Sequence, residues 1–307
     1  MVNPTACVTG ASGMVGSRIC QLLLQRGYPV RALSRTEIGL QGRIQWFTGD
    51  ITNVADMQAF TSGAELVFHC AAELRDESKM WDVNAGATEN LVKCIANSGV
   101  KYFCHLSSVG VIGDTALKLV DECAPCAPKN TYEKSKWAAE QSATRVISGC
   151  RTVILRPTNV VDESWPGILA LPHRRGLADL IKAFVKGGEC VHLVHAEDVA
   201  EVAIYLMDHP ADGPQVYLIS CDDEPSNTLA GVWALYDAMR KKSSSDCIRY
   251  FPHLPLWVPY LLRRIVRRGG NMGDVRYSSD KLLKTGFVFK MGLRGLIERI
   301  AASQEKR

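Results

Sequence analysis

The chain has 307 residues and a formal net charge of +4, with 47% apolar and 22% charged residues. That length can bury a large core, as one big domain or as a domain with a smaller lobe. The small net charge and the lack of a basic block interleaved with aromatics exclude nucleic acid as the expected partner. No apolar run reaches the roughly 18 residues that would span a bilayer.

The first element is the apolar run Ala6-Cys7-Val8, read as a strand. It is entered at once, with no charged and apolar leader of the secretory kind before it. Thr9-Gly10-Ala11-Ser12-Gly13-Met14-Val15-Gly16 follows, and residues 14–26 then repeat their apolar positions at helical spacing. In a strand, glycine turn and helix the glycines have separate tasks. Gly10 permits the tight turn, Gly13 lets backbone approach a pyrophosphate, and Gly16 lets the helix pack closely. Ser12, Met14 and Val15 lie where the free N–H groups and positive dipole end of the helix would receive phosphates. This stretch predicts dinucleotide binding.

Residues 29–34, 44–48, 65–70, 101–107 and 151–155 read as further strands, and 54–60, 79–97 and 131–148 as helices between them. The strands are short continuous apolar runs, as expected for a parallel sheet covered on both faces. Alternation of strand and helix predicts an α/β fold of the Rossmann type, a doubly wound parallel sheet. After Arg156-Pro157, prolines at 166, 172, 210, 214, 225, 252, 255 and 259 break the chain into shorter pieces. Residues 1–160 are therefore expected to form the dinucleotide-binding domain, and 161–307 mainly a smaller C-terminal substrate lobe. Late elements near 190–220 return to the first domain. Residues 199–207 and 229–239 read as helices, 215–219 as a strand, and 241–245 as an exposed loop.

The end of the second strand bears on the choice of cofactor. An acidic residue there, about 20 positions past the glycines, would hold the ribose 2′-hydroxyl of NAD. Arg35 closes this strand instead, and a guanidinium suits a 2′-phosphate. NADP(H) is the favoured cofactor, with Glu37 the residue that would restore NAD(H). Asp50, followed by Ile51, is placed to accept from adenine after the third strand. Ala71 and Ala72 form a small-residue floor after the fourth.

Tyr132-Glu133-Lys134-Ser135-Lys136 is the second key stretch. Tyr132 and Lys136 are i and i+4, on one helix face. A nearby ammonium is expected to lower the phenol pKa toward neutrality and make Tyr132 a usable general acid–base. Ser107 and Ser108 end the fifth strand, and Ser108, one step further out, is the better ligand for a substrate carbonyl.

Eleven cysteines are scattered without disulfide spacing, mostly inside apolar runs. This suits reduced thiols in a cytoplasmic protein. Cys123 and Cys126 form a CxxC with no second pair, so no metal is expected there.

The motifs TGASGMVG (9–16), TGDIT (48–52), FHCAA (68–72), NAGATENL (84–91), SSVGVIG (107–113), YEKSK (132–136), LRPTNVV (155–161) and HAEDVAEVA (195–203) together resemble the extended short-chain dehydrogenase/reductases of the epimerase/dehydratase-like group. The resemblance implies Tyr132 as acid–base, Lys136 as its partner on the nicotinamide ribose, and Ser108 as carbonyl ligand. It also implies Asn84, Pro157 and Asn159 near the cofactor, and a homodimer. Val109-Gly110 stands where dehydratases carry an acidic pair, which disfavours dehydration. The segment 188–194 lacks the arginine that sugar-nucleotide epimerases usually direct at the diphosphate. The expected activity is hydride transfer to or from a carbonyl or secondary alcohol carbon of a small-molecule substrate, either a keto sugar nucleotide or a hydrophobic ketone. A nucleotide-sugar 4-epimerase with tightly bound NAD is the alternative. A non-catalytic NADP-binding sensor is a third reading, opposed by the retained Ser108, Tyr132 and Lys136.

Two basic features lie in the lobe. His173-Arg174-Arg175 is expected to face the cleft. The helix read over 257–268 sets Leu261, Leu262, Ile265 and Val266 against Arg263, Arg264, Arg267 and Arg268. This basic face is either solvated or meets an anionic substrate or a membrane surface. His69 and His195 are expected to be structural.

Overall fold

A computed structural model of the chain describes residues 3–36, 43–96, 98–145, 147–164, 176–209, 213–240, 251–265 and 271–305. Glu37, residues 173–175, the loop at 241–245 and residues 266–268 lie outside the described residues. The elements in chain order are β1 (Ala6–Thr9), α1 (Met14–Gln25), β2 (Val30–Ser34), β3 (Ile44–Thr48), α2 (Val54–Thr61), β4 (Leu66–His69), α3 (Ala87–Ile95), β5 (Tyr102–Leu106), β6 (Leu119–Val120), α4 (Thr131–Ala143), β7 (Arg151–Pro157), β8 (Asn159–Val161), α5 (Leu177–Lys186), β9 (Leu193–His195), α6 (Ala196–Tyr205), β10 (Gln215–Ile219), α7 (Leu229–Arg240), α8 (Trp257–Ile265), β11 (Arg276–Tyr277), α9 (Asp280–Leu283) and α10 (Gly292–Glu305).

Seven strands form one sheet in the order β10-β7-β5-β4-β1-β2-β3. The pairs β1–β2, β1–β4, β2–β3, β4–β5 and β5–β7 are all parallel. This is the doubly wound α/β sheet, and its order reverses between β1 and β4, the switch point where such folds bind ligands. Cys7, Val67, Phe103 and Ile154 from the strands pack with Met57 and Phe60 of α2 and with Leu91 and Ile95 of α3. Burial on both faces explains why the strands read as unbroken apolar runs.

The helix expected over 79–97 is broken. A 3-10 turn (Glu77–Lys79) and a π turn (Trp81–Gly86) precede α3. The π turn carries Asn84, whose buried side chain is anchored on both sides, and such widened turns collect at functional positions. The helix expected over 131–148 stops at Ala143, and Ile147 beyond it returns to the core.

The chain forms two compact units. The first holds residues 1–113, 125–157 and 199–217 and so contains most of the sheet. The second holds 114–124, 158–198 and 218–307. Within the second, α7 buries Val232, Trp233 and Tyr236, and α10 buries Leu293, Leu296, Ile297 and Ile300. Asp198 ties this core together by accepting the Met291 and Gly292 N–H groups at 3.0 and 2.9 Å, at the start of α10. The short parallel pairs β6–β11 and β8–β9 complete the unit.

Backbone packs closely at the glycine turn. A Cβ on Gly16 would stand 2.3 Å from the Gly10 carbonyl oxygen. Gly16→Ala should therefore force backbone movement and cost about 1–3 kcal/mol, read as a lowered midpoint in urea with the slope unchanged.

Candidate active site

Gly10 has φ +64, and a Cβ there would lie 2.7 Å from the Ala71 nitrogen. It is thus needed both for its conformation and for the close pass of the turn against the end of β4. Gly13 N–H donates to the Gly10 carbonyl at 2.9 Å, and α1 begins at the next residue. No side chain caps α1 and no acid occupies its first turn. Its first amides and dipole remain for an anion, and Ser12 and Gly13 beside them are exposed. These residues fit the diphosphate of a dinucleotide. Arg35 is exposed just after β2. The Asp50 carboxyl is held below its ordinary range, first by the Thr52 N–H, then by the Thr52 hydroxyl, with Arg35 adding to the effect.

The first turn of α4 carries the catalytic candidates. Asn130 caps the helix by accepting the Glu133 N–H at 2.8 Å, and the Glu133 carboxylate in turn accepts the Lys129 N–H at 2.7 Å. This fixes Tyr132 at the second helical position and Lys136 one turn on. Lys136 is buried, and its Nζ donates to the Leu106 carbonyl at 2.6 Å. Ser107 gives its hydroxyl to the buried Glu140. Ser108 accepts the Gly110 N–H at 3.0 Å and hydrogen-bonds the Tyr132 phenol, so it stands at the phenol and Ser107 does not.

The electrostatics correct one expectation. Spacing predicts a phenol lowered by Lys136, but burial is the larger effect. Desolvation pushes Tyr132 above its ordinary value of 10, a rise opposed by the Ser108 hydrogen bond and reinforced by Glu133. Burial likewise pushes Lys136 down to about 8, against the pull of Glu140. At neutral pH the phenol is protonated.

A directed hydrogen-bond chain joins the glycine turn to α4. The Ala71 N–H donates to Thr9 Oγ1 at 3.3 Å, Thr9 Oγ1 lies 2.8 Å from His69 Nδ1, and His69 Nε2 lies 2.9 Å from Thr88 Oγ1. Thr88 spends its single proton on the Asn84 carbonyl at 2.6 Å. It must therefore accept from His69 Nε2–H, which leaves Nδ1 to accept the Thr9 proton. His69 is held neutral, its pKa pushed to about 3 by burial and secondarily by Lys136. Asn84 Oδ1 accepts the Glu73 N–H at 2.7 Å, and Asn84 Nδ2 donates to the Glu73 carbonyl and to Ser135 Oγ at 3.0 Å each. Ser135 closes the chain on the Tyr132 carbonyl at 2.8 Å.

Gly10, Ser12, Gly13, Met14, Val15, Gly16, Arg35, Asp50, Ile51, Ala71, Ala72, Asn84, Ser108, Tyr132, Lys136 and Pro157 all lie in the first unit, and Asn159 in the second. Asn84 is buried with its amide committed to Glu73 and Ser135. Asn159 donates to the Val191 carbonyl at 2.8 Å. Glu140 and Arg156 were not singled out from the sequence. They form a buried bidentate pair, with Arg156 Nη2 2.7 Å from Glu140 Oε2. Glu140, four residues past Lys136, and Arg156, at the end of β7, carried the available signal by their positions. No group of three or more metal-ligating side chains occurs among the described residues.

Residues 6–220 match the family model for the NAD dependent epimerase/dehydratase family. The chain belongs to this family. It is 29% identical to a UDP-glucose 4-epimerase of Vibrio cholerae over 69% of each chain. It is 30% identical to the decarboxylating sterol-4-alpha-carboxylate 3-dehydrogenase of Dictyostelium discoideum, over 68% of this chain and 69% of that one. A short-chain dehydrogenase/reductase superfamily protein from Agrobacterium tumefaciens, solved with bound NAD, superposes with a TM-score of 0.75 at 18% identity, covering 99% of this chain and 98% of the other. An enzyme using a nicotinamide dinucleotide is the common ground of this family.

Two measurements bear on the site. Thr88→Val removes the hydroxyl between His69 and the Asn84 carbonyl, and should cost about 1–3 kcal/mol in chemical denaturation, whereas Thr88→Ser should recover most of it. Lys136 predicts a pH dependence. Between about 8, its folded value, and 10.5, its ordinary one, the unfolded chain holds a proton that the folded chain has shed. Stability relative to Lys136→Met should thus rise with pH through that window and level off on either side.

Proposed function

We propose that the protein is an NADPH-dependent reductase that converts a ketone carbonyl of a small hydrophobic molecule to a secondary alcohol. When bound, the cofactor supplies the hydride. Ser108 donates its hydroxyl hydrogen to the substrate oxygen and draws off developing negative charge. Tyr132 gives its phenolic proton to the same oxygen as the carbon is reduced. Lys136, buried one turn on from Tyr132 with its pKa pushed down to about 8, is the residue that would return that proton. Hydride and proton together convert C=O to CH–OH.

The observation that carries this reading is the placement of Ser108 at the Tyr132 phenol, at the start of a helix whose next turn brings in the buried Lys136. Burial pushes the phenol up, which suits a proton donor. Arg35, exposed just after β2 where an acid would favour NAD, supports NADPH. The hydrophobic substrate is supported by the segment 188–194. It offers no arginine for a diphosphate, and the neighbouring Arg263 is already paired with Glu189 and bonded to the Asn271 carbonyl at 3.1 Å.

A 4-epimerase of nucleotide sugars is the second reading, favoured by the likeness to the Vibrio cholerae enzyme. The two differ in bookkeeping of the cofactor, since an epimerase leaves no net oxidised product. With a panel of hydrophobic ketones, absorbance at the NADPH band should fall stoichiometrically with alcohol formed. UDP-sugar interconversion without loss of that band would replace the reductase reading. Tyr132→Phe should lower kcat by about 10²–10⁴-fold while leaving NADPH affinity within about twofold. Arg35→Glu should reverse the preference between NADPH and NADH, measured as the ratio of kcat/KM, by about tenfold or more.

A further inference from the structure

Two helices of the second unit turn apolar side chains to the outside. α5 exposes Leu177, Leu180, Ile181 and Phe184, and α8 exposes Trp257, Leu261, Leu262 and Ile265, each between 46% and 75% accessible. The spacings put each set of four on one helix face. The helices are neighbours. The Leu254 N–H, just before α8, donates to the Phe184 carbonyl at 2.8 Å, and His253 packs on Gly187 and Gly188 just after α5. Each helix buries little of itself, Ala183 in α5 and Pro259 in α8. In the same unit α7 and α10 bury their apolar faces in the ordinary way. Water-exposed clusters of this kind mark an interaction surface.

The charges around the cluster say what it meets. Lys182 and Lys186 on α5 and Arg264 on α8 are exposed. The acids nearby are spent, since Asp179 accepts the Gly176 N–H at 3.0 Å at the N-terminus of α5 and Glu189 pairs with Arg263. Tyr260 lies under the Arg264 guanidinium, 5.9 Å from it. Apolar faces with an aromatic belt and a cationic rim are the composition of helices that lie in the bilayer interface. A second copy of the chain fits less well, because an isologous contact would set like-charged rims against each other. Among the described residues no helix is long and apolar enough to cross a membrane, so the contact is with its surface.

We propose that α5 and α8 together form a docking face for an anionic lipid bilayer, with the eight apolar side chains in the headgroup boundary and Lys182, Lys186 and Arg264 on the lipid phosphates and carboxylates. This surface is independent of the reaction the first unit catalyses, and its test uses no substrate.

The full chain is mixed with vesicles of phosphatidylcholine alone or with about one-third phosphatidylserine, and floated on a density gradient. The expected result is flotation with the mixed vesicles, weaker flotation with the neutral ones, and release from the mixed ones near 1 M salt. Lys182→Glu with Lys186→Glu should weaken binding to mixed vesicles about tenfold or more. Trp257→Ser with Ile265→Ser should abolish it, and these exposed positions should leave the melting temperature unchanged. Failure to float with either vesicle overturns the proposal, as does equal binding by the Trp257/Ile265 variant. A dimer in sedimentation that becomes a monomer in that variant also overturns it and assigns the face to a second copy.

Discussion

The site depends on a row of groups that each have one proton to give. Thr9, His69 and Thr88 stand in line between the end of β4 and the π turn, and every one of them accepts from one side and donates to the other. The direction is forced from the far end, because Thr88 has committed its hydrogen to the Asn84 carbonyl. A protonated His69 would place a second donor against the Thr9 hydroxyl and break the order. Burial prevents that, which is why a neutral imidazole can serve as a fixed spacer here. The row joins the backbone amide of Ala71, where the glycine turn presses closest, to Asn84 and through Ser135 to the carbonyl of Tyr132. The glycine turn and the start of α4 are therefore linked by one hydrogen-bond network.

Around this network the charges are unevenly compensated. Glu140 is buried beside Lys136, yet its carboxylate is matched by the two-pronged contact from Arg156 and by the Ser107 hydroxyl. Little of its charge is left for Lys136, whose Nζ rests on a neutral carbonyl. Desolvation then outweighs attraction, and the ammonium drifts down to about 8. The phenol of Tyr132 is pushed up by the same cause, its own burial. A tighter Lys136–Glu140 pair would give a more strongly charged lysine and one less able to move its proton.

The legible parts of the molecule were those whose signals are local. The glycine turn, the sheet strands and the Tyr132–Lys136 spacing each sit within one element and its flanks. The hydrogen-bond row was not legible, because Thr9 and His69 come from two strands and Thr88 from a helix, and nothing in their local context marks them as neighbours. Nor was the direction of the Tyr132 shift, since spacing reports a nearby charge but not how dry the site is. In the second unit β6, β8, β9 and β11 are two or three residues long, below any periodicity. α10 is different. Leu293, Leu296, Ile297 and Ile300 repeat at helical spacing, but Gly292 and Gly295 at its start obscure a pattern that burial makes plain.

The second unit also separates two uses of the same residue types. α7 and α10 turn Trp233, Tyr236, Leu296 and Ile300 against each other and become a core. α5 and α8 carry as many large apolar side chains per turn and leave them outside. Composition cannot distinguish the two cases, and helical spacing cannot either, because all four helices are amphipathic. What differs is the polar side. The acid of α6 that accepts the start of α10 fastens that helix inward, while the acids near α5 and α8 are absorbed by a helix N-terminus and by Arg263. The lysines of α5 are left facing water beside an apolar strip. A strip left outside in this way, apolar with a cationic rim, is complementary to a surface that is apolar beneath and anionic at its rim.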